Sequence, residues 1–153
     1  MLFFFCILLV GCEIQETPGQ GISDFPQGEG TNQATYLVTE VIDGDTFRLE
    51  NGETVRLICL DAPERDELYY NEARIRLQEL IQSKYVTLET DESNRDQYGR
   101  LLRYVYVDDE FVNYEIVRSG LVVAKRYIPD TERCDLIEEA QSVAQEEEQY
   151  LWS

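Results

Sequence analysis

The dipeptides Asp43-Gly44 and Asn51-Gly52 cut residues 35–60 into three short runs, TYLVTEVI, DTFRLE and TVRLICL, each rich in β-branched or aromatic residues. Such dipeptides between alternating hydrophobic segments are the strongest short-range hairpin signal. The runs therefore read as a three-stranded meander, which cannot bury an apolar face alone and demands further strands or a helix against it. Taking Asn51-Gly52 as a two-residue turn pairs Phe47 with Arg56 and Asp45 with Ile58. That register puts Asp45 and Arg56 on one face, about 7 Å apart along the strand. Asp61 follows at the end of the returning strand, where strict alternation does not face it toward them. Curvature or a break at Ala62-Pro63 is needed to bring it in. Two explanations of this acid-rich mouth stay open: loop acids that merely solvate turns, or oxygen donors for a metal ion.

The rest of the chain supplies the covering elements. Leu68, Ala73, Leu77, Leu80 and Ile81 recur at helical spacing and predict a helix over 67–83. YVTLET and LLRYVYV predict strands at 85–90 and 101–107, separated by a polar loop of turn formers. A short helix over 112–119 should stop at Gly120, and a last helix should start near Asp130 and run toward Trp152. Three strands, a helix, two strands and two helices make an α+β protein, mainly β: a small five-stranded barrel with three helices.

Composition narrows the chemistry. The 153 residues contain 31 acids against 13 bases, a net charge of -18, and no histidine. Imidazole is thereby excluded as base, acid or ligand, and a broad basic nucleic-acid surface is excluded too. Carboxylate, Arg, Lys, Tyr and Cys remain, and oxygen-ligated metals are the natural partners of such a set.

The N-terminus differs from the rest. Residues 1–12, MLFFFCILLVGC, have the length of a signal-peptide core and are too short to span a bilayer as a helix. Leu9-Val10-Gly11-Cys12 resembles the lipobox of prokaryotic lipoproteins, which implies a signal peptide over 1–11 and a lipidated Cys12, although no Lys or Arg precedes the apolar run. Residues 12–33, rich in Gly, Pro, Gln and acids, predict a flexible tether, and 34–153 the folded domain. Four of the 31 acids and none of the 13 bases lie in 1–33, so the domain keeps 27 acids against 13 bases. The expected location is outside the cytoplasm: anchored to the membrane by lipid at the surface or in the periplasm, or secreted. A monomer is expected. With Cys6 removed and Cys12 lipidated, Cys59 and Cys134 remain as a pair, either disulfide-bonded between barrel and last helix or two buried thiols.

VIDGDTFRL, VRLICLDAPE, DQYGRLLRYVYV and the closing LWS resemble, in order and spacing, the staphylococcal nuclease (thermonuclease) family over residues 35–153. The resemblance implies an OB-fold barrel with three helices, the strand order of which matches the one above. It implies a calcium-dependent phosphodiesterase that hydrolyses DNA and RNA and leaves 3'-phosphate ends. By position, Asp45, Asp61 and the carbonyl of Ala62 correspond to the calcium ligands, and Asp43 to an acid just outside them. Glu64 corresponds to the group that orients or deprotonates the attacking water, Arg56 and Arg100 to the phosphate-gripping arginines, and Tyr98 and Tyr127 to tyrosines near the nucleotide. A polyanion would then be met by a small cationic focus of Arg56, Arg100 and either Lys125 or Arg126, helped by the metal. Three features depart from the family: a shorter stretch after Glu64, Gln97 in place of a basic residue, and a tyrosine replaced around Lys125 or Arg126. They leave the choice between DNA and RNA, and between ends and interior, open. The alternatives to a nuclease are a non-catalytic OB-fold domain that binds nucleic acid, or an acidic calcium-binding surface lipoprotein.

Overall fold

Strands β1 (Thr35–Val41), β2 (Thr46–Leu49) and β3 (Thr54–Leu57) form the meander, and their alternation is visible in β2, where Phe47 and Leu49 are buried and Arg48 faces solvent. The computed structural model describes residues 34–153; the expected signal segment, Cys12 and the tether over 12–33 lie outside the described residues. After β3 come β4 (Leu60–Asp61), α1 (Tyr70–Ile81), β5 (Tyr85–Glu89), β6 (Leu101–Val107) and β7 (Glu110–Phe111). They are followed by α2 (Val112–Arg118), β8 (Val123–Ala124), α3 (Cys134–Glu146) and a 3-10 turn, Tyr150–Trp152. The sheet order β3-β2-β1-β5-β6 closes on itself through a parallel pairing of β3 with β6. Closure removes the exposed edges that a five-stranded sheet would otherwise present. The five-stranded OB-fold barrel with three helices is therefore present, with β4, β7 and β8 as additional two-residue strands. Phe47, Val55, Leu57, Leu77, Tyr104 and Ile116 fill the core.

Several boundaries differ from expectation. Gly52 N–H donates to Leu49 O and Leu49 N–H to Glu53 O, each at 2.9 Å, so residues 50–52 form a three-residue loop. Gly52 sits in it at φ +85°, the left-handed position that such a loop reserves for glycine. The extra residue shifts the register by one: Phe47 lies opposite Val55 and Thr46 opposite Arg56, not Phe47 opposite Arg56 or Asp45 opposite Ile58. The predicted third strand is split in two at Cys59, which has φ 64°. The break that redirects Asp61 is therefore two residues before it, not at Ala62-Pro63.

The kink is held from three sides. Ile58 N–H donates to Arg103 O at 3.2 Å, the Asn113 side-chain amide donates to Ile58 O at 3.1 Å, and Cys59 is disulfide-bonded to Cys134, with Cα atoms 5.2 Å apart. Asn113 is fully buried and also accepts from Val105 N–H, so α2 fastens both β6 and the kink.

α1 begins at Tyr70, because Tyr69 at φ 65° closes the preceding loop, and Leu68 is 70% exposed rather than core. Ala73, Leu77, Leu80 and Ile81 are buried as their spacing requires. α3 begins at Cys134 rather than near Asp130, whose buried carboxylate instead accepts from Ser93 N–H at 2.7 Å. It ends at Glu146, short of Trp152; Gly120 at φ +78° terminates α2, as expected, and its carbonyl accepts from Leu151 N–H.

Candidate active site

The turn before β2 is pressed against its neighbours. A Cβ on Gly44 would lie 2.8 Å from the Ala73 Cβ and 2.9 Å from the Ala62 Cβ, so only glycine permits this approach. The approach brings the Ala62 peptide to Asp45: Ala62 N–H donates to Asp45 Oδ2 at 2.9 Å. The Thr46 hydroxyl donates to Asp45 Oδ1 at 2.8 Å, and the Asp45 amide donates to Asp43 Oδ1 at 3.2 Å. Because Asp45 precedes the first residue of β2, the strand's alternation does not govern its side chain. It reaches Arg56 in spite of the shifted register.

Arg56 sits between two acids. Its Nη1 lies 2.8 Å from Asp45 Oδ2 and its Nη2 3.1 Å from Asp61 Oδ1, while Nη1 also donates to the Leu57 and Leu60 carbonyls at 2.9 and 3.4 Å. The guanidinium is nearly enclosed and its fork spans both carboxylates, a task that a lysine could not perform. Asp45 and Arg56 meet as expected, but not through the expected register, which is shifted by one; Asp61 joins them because the kink at Cys59 turns it inward.

Burial dominates the electrostatics of Asp45. With 6% of its surface exposed, its carboxyl is pushed up to about 7; Arg56 and the Ala62 amide oppose the rise, and the charge and hydrogen bond of Asp43 add to it. A carboxyl so placed gains from any further positive charge brought beside it.

A cleft of about 410 Å³ opens next to Arg56 and is lined also by Arg100, Tyr98, Asp96, Tyr127 and Ile128. Arg100 reaches toward Thr46 Oγ1 at 3.4 Å and is anchored by Asp96, its Nε lying 2.6 Å from Asp96 Oδ2. Although burial works the other way, hydrogen bonds from the Arg100 side chain and from the Arg100 and Tyr98 amides hold the Asp96 carboxyl below the usual carboxylate range. Tyr98 is largely exposed and lies under the Arg100 guanidinium, 5.4 Å from its ring centroid. Next to Tyr127 of the cleft lining, Lys125 Nζ is 2.7 Å from Asp61 Oδ2 and 5.1 Å from the centroid of the Tyr127 ring. Hydrogen bonding to Asp61, and to Tyr127, holds the Lys125 ammonium above its ordinary range. A second depression, of about 430 Å³, is lined by Asp61, Ala62 and Pro63, so the two partners of the Arg56–Asp61 pair line different hollows.

Not every expected residue joins this cluster. Glu64 lies in the exposed loop after β4, its amide donating to Glu67 Oε2 at 2.7 Å, and among the described residues its carboxylate has no hydrogen-bond partner. Arg126, considered with Lys125 for the cationic focus, turns away to Asp135 and Glu138 on α3. Thr46 and Asp96 were not singled out from sequence, yet Thr46 connects Asp45 to Arg100 and Asp96 aims Arg100. The four-residue spacing from Asp96 to Arg100 across a turn-forming segment was the available signal for the second; a lone threonine carried none.

The donor set suits a hard divalent cation in part. Among the described residues no group of three or more His, Cys, Asp and Glu side chains forms a metal cluster. Asp45 and Asp61 converge on one guanidinium, with the Ala62 peptide alongside, and the buried Asp45 would be relieved by added positive charge. Two carboxylates and a peptide oxygen, completed by water and a ligand's phosphate, are compatible with the loose oxygen coordination of calcium.

Comparisons with known proteins identify the family. Residues 54–153 match the family described as staphylococcal nuclease homologue. The chain is 37% identical to the thermonuclease of Staphylococcus intermedius, over 77% of this chain and 76% of that protein. It is 34% identical to the thermonuclease of Staphylococcus hyicus, over 80% of this chain and 78% of that protein. It is 37% identical to endonuclease YncB of Bacillus subtilis, over 73% of this chain and 58% of that protein. A family match over residues 54–153 and this degree of identity to proteins of similar length have one explanation: the chain belongs to the staphylococcal nuclease homologue family.

Proposed function

We propose that the protein is a calcium-dependent phosphodiesterase that hydrolyses DNA and RNA and leaves 3'-phosphate ends. The observation that carries this reading is the Arg56 bridge, which holds Asp45 and Asp61 on a guanidinium that lines the same cleft as Arg100. Relatives named thermonuclease and endonuclease support the same reaction class.

In this reading Asp45, Asp61 and the Ala62 carbonyl hold calcium, with Asp43 fixing the Asp45 backbone behind them. When bound, calcium supplies positive charge to a phosphoryl oxygen. Arg56 and Arg100 offer planar N–H forks to the remaining oxygens, which gain negative charge as water attacks phosphorus, so both stabilise the transition state more than the ground state. Glu64, free on its loop, takes the proton of the attacking water. The new oxygen–phosphorus bond forms as the bond from phosphorus to the 5'-oxygen breaks, and that oxygen takes a proton from solvent water, which is made good when Glu64 releases its own, so the phosphate stays on the 3' side. Tyr98 and Tyr127 present exposed rings at the cleft, on which a sugar or base can stack. Folded residues 34–153 form the catalytic domain, exported as a monomer behind a signal segment over 1–11, and tethered through 12–33 to a lipidated Cys12.

The test is cleavage of end-labelled single-stranded DNA and RNA in calcium and in EGTA, with product ends assayed by phosphatase. Cleavage in calcium alone, with phosphatase-sensitive 3' ends, is expected. Binding without cleavage under every condition would instead make this a binding domain.

A further inference from the structure

Asp61 carries a cation on each oxygen, Arg56 on Oδ1 and Lys125 on Oδ2. The two differ in freedom. Arg56 is enclosed and tied to Asp45 and two backbone carbonyls, whereas the Lys125 side chain is 50% exposed and its other close neighbour is the face of Tyr127. The Lys125 backbone, by contrast, is fixed: its N–H donates to Cys59 O at 2.9 Å, and β4 pairs with β8 so that Leu60 faces Ala124 and Asp61 faces Val123. A lysine in that situation has a stationary Cα and a mobile ammonium on a flexible four-carbon stem. A divalent cation held by Asp61 would repel the ammonium, and Tyr127, whose ring centroid is 5.1 Å from Nζ and which lines the cleft, would be its remaining neighbour.

On the reading that Asp45 and Asp61 ligate calcium, we propose that Lys125 is a positioning residue with two stations. Before metal binds it holds the Asp61 carboxylate; displaced by the metal, it moves to a phosphate of the nucleic-acid strand over Tyr127. Lys125 therefore weakens calcium binding and strengthens binding of the strand, two effects of opposite sign from one side chain. By reciprocity, the strand helps calcium to bind more in the native protein than in a variant without the lysine.

The experiment compares the wild type with Lys125→Met and Lys125→Arg in two titrations. Calorimetry without nucleic acid measures calcium affinity. Fluorescence anisotropy with short single-stranded DNA in saturating calcium, in a Glu64→Gln background that slows cleavage, measures strand affinity. Lys125→Met is expected to bind calcium about fivefold more tightly and DNA about fivefold more weakly, the scale of one exposed charge interaction. Lys125→Arg should bind DNA as the wild type does. Equal calcium affinities, or calcium and DNA both weakened, overturn the two-station role while the calcium site stands. Absence of calcium binding in wild type and variants overturns the calcium site itself, and this inference with it.

Discussion

The two halves of the candidate site are built in opposite ways. Asp45 and Arg56 are enclosed and held by several hydrogen bonds, and Asp61 is joined to them through Arg56 and through the kink that Asn113 and the Cys59–Cys134 bond fasten. Glu64 and Tyr98 stand on exposed segments with few ties. The contrast separates two kinds of contribution. On the enclosed side, position and fold stability are one property, because a charge removed there leaves its partner buried and unpaired. On the exposed side, a side chain can be changed with the barrel intact, so its loss reports chemistry alone.

Arg56→Ala tests the enclosed half and has the largest expected effect. It should reduce turnover about 10³-fold and destabilise the chelator-treated protein by about 3 kcal/mol, since it leaves Asp45 without its counter-cation. Urea denaturation with and without calcium measures the second quantity; an unchanged midpoint would break the distinction between the halves. Removal of the disulfide comes next. The Cys59→Ser, Cys134→Ser double variant opens a connection of 75 residues in sequence and should lose about 4 kcal/mol. Because Cys59 lies two residues before Asp61, calcium affinity should fall as well, and calorimetry on the folded fraction checks it.

Glu64→Gln tests the exposed half. Turnover should drop about 10²-fold, with stability within about 0.5 kcal/mol of the wild type. Stopped-flow cleavage together with a denaturation curve decides it: a loss below tenfold removes Glu64 from the reaction, and a large stability change would show that its loop is not independent of the barrel. The smallest effect is a pH dependence. Asp45 has its folded-state pKa raised, so the stability it contributes is complete below the ordinary value of 3.8 and is lost as pH rises through about 7. In chelator, the wild type should therefore lose stability over that interval relative to Asp45→Asn, and parallel curves for the two proteins would remove the burial argument.

The same division governs what the sequence made legible. Barrel order, the α1 face of Ala73, Leu77 and Ile81 and the Gly120 stop follow from local periodicity and turn chemistry, which a single sequence displays, whereas Asp45 meets Arg56 from outside β2 and in a register shifted by one. The errors fall where long-range contacts override a local rule. Asn51-Gly52 is equally at home in a two- or three-residue loop, and the shift was decided by Gly52 at the left-handed position. Cys59 at positive φ is not a residue whose type announces that conformation; tertiary ties from Arg103, Asn113 and Cys134 hold it there. Leu68 fitted the helical period by coincidence, because Tyr69 had already turned the chain. Lys125 and Arg126 are adjacent in sequence and equally cationic, and only the course of β8 sends one to Asp61 and the other to α3.

The central claim is that the Arg56-bridged acids are the metal site at which phosphodiesters are hydrolysed. Its most direct test is to measure, on one preparation, the calcium-binding isotherm and the calcium dependence of single-stranded DNA cleavage, for the wild type and for Asp61→Ala. The two wild-type curves should superimpose, cleavage should vanish in EGTA, and Asp61→Ala should lose both curves while retaining a cooperative unfolding transition. Undiminished cleavage by wild type in EGTA, or an unchanged calcium isotherm in folded Asp61→Ala, would contradict the account.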